Sequence, residues 1–127
     1  MAQAMTQVGQ PAYLYYFTYV ESGKRAHLGA YHGEELKFLS DSFPADWEYS
    51  RDDEKLGEAV RTYWTQFAKT GNPNGPGLPA WPTYNENTQQ VQYFDGSIAP
   101  RTWPNLPQLQ ALNDYYSWRR AEAHKRN

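Results

Sequence analysis

At 127 residues the chain has room for one domain of ordinary size, and its formal net charge of −2 (12 Lys+Arg against 14 Asp+Glu) argues against a nucleic-acid binder, which would show a basic excess or stripe. The absence of cysteine removes disulfides, thiolate metal sites and cysteine nucleophiles together, without fixing the compartment. No apolar run nears the ~18–20 residues of a membrane helix, and MAQAMTQVGQ has neither the basic start nor the apolar stretch of a signal peptide, so no membrane partner is expected and the cytoplasm is only the default localisation.

Residues 2–9 read as the last turns of a helix stopped by Gly9 and Pro11. Residues 12–20, AYLYYFTYV, are the clearest strand, nearly continuous in apolar residues and bounded by Pro11 and Gly23. Such continuity predicts a strand covered on both faces, as in a parallel sheet under helices; the alternative is an edge strand of an antiparallel sheet with half-exposed tyrosines. Residues 21–49 read as loop, with a short helical turn around Glu34–Leu39. Residues 51–69 are the best helix: Ser50 and Asp53 suit a capping box, and Leu56, Val60, Tyr63, Trp64 and Phe67 share one face. Gly71 and Pro73 end it. The Pro- and Gly-dense stretch 71–83 excludes regular structure. Gln89–Phe94 reads as a strand closed by Asp95-Gly96. Leu106–Arg120 reads as a second helix with Leu109, Leu112 and Tyr116 on one side, and with Arg119, Arg120, Lys125 and Arg126 at its negative end.

The order is α/β in character, but two strands do not make a stable sheet alone. Leu, Ile, Val and Phe number only 19 of the 127 residues, under the ~20% usual for globular chains. The 5 Trp and 11 Tyr carry much of the remaining apolar area. A chain so poor in aliphatics is expected to pack against something else.

His32, in the loop Gly29-Ala30-Tyr31-His32-Gly33-Glu34-Glu35-Leu36, is the strongest candidate for chemistry. Loops that follow buried strands carry the reactive groups of α/β proteins, and a neutral imidazole there serves as base and then acid near pH 7. The bland alternative is a loop histidine bonded to a backbone carbonyl. His27, five residues earlier, is not at helical spacing for a two-histidine metal site, and no third ligand has convincing spacing, so no metal is expected. His124 sits in a charged tail and is expected to be solvated. Of the adjacent Glu34 and Glu35, one is expected to point in and tie down the loop, the other out. None of the six serines (Ser22, Ser40, Ser42, Ser50, Ser97, Ser117) lies in G-x-S-x-G, and no phosphate-loop, dinucleotide or H-E-x-x-H motif is present. No cofactor is implied.

PAYLYYF (11–17), GAYHGEELKFL (29–39) and RTYWTQFAKTGNPNGPGLPAWPTY (61–84), with QYFDG (92–96) more weakly, resemble the C-terminal third of the type-B carboxylesterases, the family that includes cholinesterases. The resemblance implies the C-terminal part of an α/β-hydrolase fold, spanning residues 1–127 as one fragment, and ester hydrolysis by a Ser–Glu/Asp–His relay. The family's H-G-x-E-L loop puts the relay histidine at His32, with Gly33 and Glu35 supporting the loop. The serine, the acid and the oxyanion loop of such enzymes precede the segment present here. The start therefore reads as the tail of a helix within a larger protein. The expected partners are an N-terminal esterase piece, or a second copy, and small carboxylic esters once the site is complete. The alternative is a truncated, inactive remnant acting as a small folded or interaction module.

Overall fold

The computed structural model describes residues 2–125, so the expected role of Arg126 lies outside the described residues. In chain order the elements are α1 (Ala2–Gln7), β1 (Tyr15–Phe17), a 3-10 turn (Ala26–Leu28), α2 (Glu35–Ser40), α3 (Arg51–Thr70), β2 (Gln90–Phe94), β3 (Ala99–Thr102) and α4 (Leu106–Lys125).

The long helix α3 forms where its local signals agree. The Ser50 hydroxyl accepts from the Asp53 N–H at 3.1 Å, while the Asp53 carboxylate accepts from the Ser50 N–H at 2.7 Å, closing a capping box. Asp52, Asp53 and Glu54 occupy the first turn, where the helix dipole favours negative charge. Gly71, at φ 73°, turns the chain left-handed at the other end. Leu56, Val60 and Tyr63 are buried as the spacing predicts, Trp64 is half-buried, and Phe67 remains largely exposed at the rim.

The sheet has the order β1-β2-β3, with β1 parallel to β2 and β3 antiparallel to it. Tyr15, Tyr16 and Phe17 stand opposite Gln92, Tyr93 and Phe94. The strand expected over 12–20 is paired only over 15–17, and Tyr15 and Tyr16 keep 36% and 37% of their surface exposed. Within this chain β1 therefore lies at an edge, and the continuous apolar run does not translate into cover on both faces. β3 was not expected: its APRT sequence contains a proline, which is tolerated because β3 too is an edge strand.

One face of the sheet meets α3 through an aromatic core. Tyr19, Phe38, Trp47, Leu56, Val60, Tyr63, Trp81 and Phe94 form the buried cluster. Trp81 is its hub, with ring centroids 5.3 Å from Tyr63, 5.4 Å from Phe94 and 5.7 Å from Trp64. The proline-rich loop holds Trp81 in place: the Asn74 side chain accepts from the Trp81 N–H at 2.7 Å and donates to its carbonyl at 2.9 Å. The indole N–H donates to the Leu14 carbonyl at 3.0 Å, joining this loop to the start of β1.

α4 departs from expectation. It runs to Lys125 and buries no residue, with Leu109, Leu112 and Tyr116 all exposed. Its apolar residues at 106, 109, 112, 115, 116 and 118 spread around most of the circumference at 100° per residue, so no single neighbour covers them.

Candidate active site

His32 lies in a four-residue turn. The Glu34 N–H donates to the Tyr31 carbonyl at 3.1 Å, which makes His32 and Gly33 the two central residues. Gly33 has φ 83°, the left-handed value that the second central residue of a type II turn requires. A β-carbon there would meet only Leu36 Cδ1, at an ordinary 3.7 Å, so the need for glycine comes from the backbone and not from space. The Leu36 N–H donates to the Gly33 carbonyl at 3.1 Å, running the turn straight into α2. His32 itself is exposed.

Of the two glutamates one was expected to point out, but both are engaged: Glu35 is half-buried and bonded as well. Glu34 is the inward one, 4% exposed, and its carboxylate accepts from the Lys37 ammonium at 2.8 Å. The same ammonium donates to the Tyr31 hydroxyl and lies 4.4 Å from the Tyr31 ring centre and 4.8 Å from that of Trp47. Glu35 faces β1 and accepts from the Tyr15 hydroxyl at 3.0 Å. The Glu35 bond joins α2 to β1, and the Glu34 bond joins the turn to α2. Arg61 completes the frame from α3, donating to the Phe38 carbonyl and to Asp41, both at 3.0 Å.

Burial pushes the Tyr15 phenol up to about 12, with the bond to Glu35 and the repulsion of its carboxylate adding to the effect. The folded chain therefore keeps this proton after the unfolded chain has lost it, so the associated stability is full below pH ~10 and is lost as pH rises through about 12. Burial raises Tyr19 and Tyr63 in the same direction. Thermal melts between pH 9 and 12 are expected to fall less steeply for Tyr15→Phe than for the parent; parallel curves would refute the assignment.

The remaining candidates are occupied elsewhere. The His27 ring bonds the Lys24 carbonyl through Nδ1 at 2.9 Å, the backbone-anchored arrangement. His124 is exposed on α4. Among the described residues no group of three His, Cys, Asp or Glu is placed to hold a metal ion. Ser40 donates to the Leu36 carbonyl, Ser50 caps α3, Ser97 accepts from Arg101 and Ser117 from Arg120. An apolar cleft of about 150 Å³ lies between β1, α3 and Trp81, and His32 is not among its lining residues.

The sequence does not announce the contact roles of Lys37, Tyr31, Trp47 and Tyr15. The i, i+3 spacing of Glu34 and Lys37 was the one local signal. The Tyr15–Glu35 bond spans 20 residues and leaves no local trace.

The chain is similar to known proteins over most of its length. The sequence model of the carboxylesterase family matches residues 1–110. The chain is 35% identical over 88 residues to human cocaine esterase, covering 65% of this chain and 16% of that protein. It is 39% identical over 87 residues to bovine carboxylesterase 4A, covering 66% and 16%. Among solved structures, a PNB esterase superposes with a TM-score of 0.72 at 25% identity, over 86% of this chain and 23% of that one. The Geobacillus stearothermophilus carboxylesterase at pH 6.8 does so with 0.69 at 28% identity, over 87% and 24%. The three-stranded sheet and its helices are thus part of an α/β-hydrolase fold. The chain spans about 16% of the length of the curated relatives it matches, and it belongs to the carboxylesterase family.

Proposed function

We propose that the chain is the histidine-bearing portion of a serine carboxylic-ester hydrolase, with His32 as its general base and acid. The observation that carries this reading is the turn itself: an exposed imidazole between left-handed Gly33 and Tyr31, framed by two carboxylates that bond neighbouring elements and leave the ring free for a reaction. In the completed site the imidazole takes the serine proton as Oγ attacks the ester carbonyl. It gives that proton to the departing alcohol, then takes one from water and returns it to the serine as the acid leaves. The nucleophile, the acid that orients the imidazole and the oxyanion donors come from outside this sequence.

The test is complementation. Purified chain is mixed with the amino-terminal portion of a carboxylesterase that carries G-x-S-x-G. The mixture is expected to turn over a p-nitrophenyl ester. The chain alone is expected to match free imidazole at equal concentration, because oxyanion donors alone contribute ~10²–10³ in rate. A mixture no faster than its parts contradicts the proposal.

A second reading, an inactive remnant folded as a small module, is favoured by the absence of G-x-S-x-G. Size-exclusion chromatography and circular dichroism test it: an unfolded monomer excludes a stable module.

A further inference from the structure

We infer that Lys37 is a positioning residue, whose ammonium joins Tyr31 and Glu34 across the turn and so fixes the direction in which His32 points. The inference rests on the assignment of His32 as the base and adds what holds it.

Tyr31 immediately precedes His32, and Glu34 follows it by two residues. One ammonium binds both side chains, and the Tyr31 carbonyl to Glu34 N–H bond joins the two residues along the backbone. The result is a closed ring of contacts with His32 and Gly33 as its free arc. Turns opened by a left-handed glycine hinge readily, because glycine crosses between φ basins at little cost. A cross-link over that hinge removes the freedom.

The ammonium is itself confined. Its side chain is 16% exposed and the Glu34 side chain 5%, and the Trp47 ring covers it at 4.8 Å. Buried pairs of this kind add little net stability but penalise any geometry that separates them. Cation–π contact with Tyr31 and Trp47 adds to the confinement. Lys37 itself is held above the usual lysine range: burial lowers it, but the bonds to Glu34 and Tyr31 outweigh that, so it stays charged wherever His32 works. The His27 ring, by contrast, is fixed by its own bond to the Lys24 carbonyl.

The experiment is ¹⁵N relaxation on the full chain, comparing the parent with Lys37→Met, Lys37→Arg and Tyr31→Phe. In the parent, His32 and Gly33 are expected near the rigid-backbone order parameter of ~0.85. In Lys37→Met both are expected to fall below ~0.6, while Val91 and Phe94 on β2 keep parental values. Lys37→Arg is expected to recover at least half of the loss. Tyr31→Phe removes one hydroxyl and leaves the Lys37–Glu34 pair in place, and is expected to move the same two residues by less. Unchanged values at His32 and Gly33 in both Lys37→Met and Tyr31→Phe overturn the inference. A uniform fall that includes Val91 and Phe94 overturns it too, since Lys37 would then hold the fold and not the turn. The readout requires no turnover, so its failure leaves the base assignment standing; failure of that assignment shows in the complemented esterase instead.

Discussion

His32→Ala is expected to lower kcat of the complemented esterase by about 10²–10⁴-fold, the range removed with a general acid–base group. The fold is expected to survive, because His32 is exposed and the turn is held by Tyr31, Glu34 and Lys37. Identical melting curves for parent and variant would therefore accompany the loss. His27→Ala is the matched control. It removes an imidazole from the same loop, one bonded to the Lys24 carbonyl, and is expected to change kcat less than twofold. Equal losses in the two variants would mean that the loop and not the imidazole matters. No loss in His32→Ala would remove His32 from the reaction.

Trp81→Ala is expected to cost about 3–5 kcal/mol, the usual range for deleting a buried large aromatic. Whole domains are stable by only ~5–15 kcal/mol, so urea unfolding is expected to start near zero denaturant. The reason lies in the composition. With 19 Leu, Ile, Val and Phe residues, the chain has no aliphatic reserve to refill the space. Five aromatic rings lie against the indole, those of Tyr13, Tyr15, Tyr63, Trp64 and Phe94. Trp81→Phe separates packing from polarity. It loses the bond to the Leu14 carbonyl, but that carbonyl also accepts from the Gln92 N–H at 2.9 Å. No buried group is orphaned, and the cost is expected near ~1 kcal/mol. A Trp81→Ala variant with the parental urea midpoint would contradict the account of the core.

Local chemistry was legible where it was complete. Ser50 with Asp53, and Gly71 with Pro73, marked both ends of α3 because a cap and a left-handed stop act within four residues. The turn at His32 and Gly33 was legible for the same reason, since a glycine beside a polar loop residue announces a turn. β1 was overextended because AYLYYFTYV carries the composition of a strand flanked on both sides, and here only β2 lies beside it. β3 was invisible: no hydrophobic alternation marks APRT, which pairs because the Asp95-Gly96 turn and the Arg101–Asp95 bridge at 2.6 Å return the chain onto β2. α4 was found, but its packing face was not, since its apolar residues do not form a single stripe. The frame around His32 stayed hidden because Tyr15–Glu35 and Arg61–Asp41 each join residues 20 apart.

The central claim is that the imidazole of this chain serves a serine supplied by another polypeptide segment. A fluorophosphonate probe of active-site serines reads this directly when added to the chain, to the complementary portion and to the mixture. Labelling is expected on the complementary portion, and only in the mixture. Stoichiometric labelling of this chain on its own would contradict the claim.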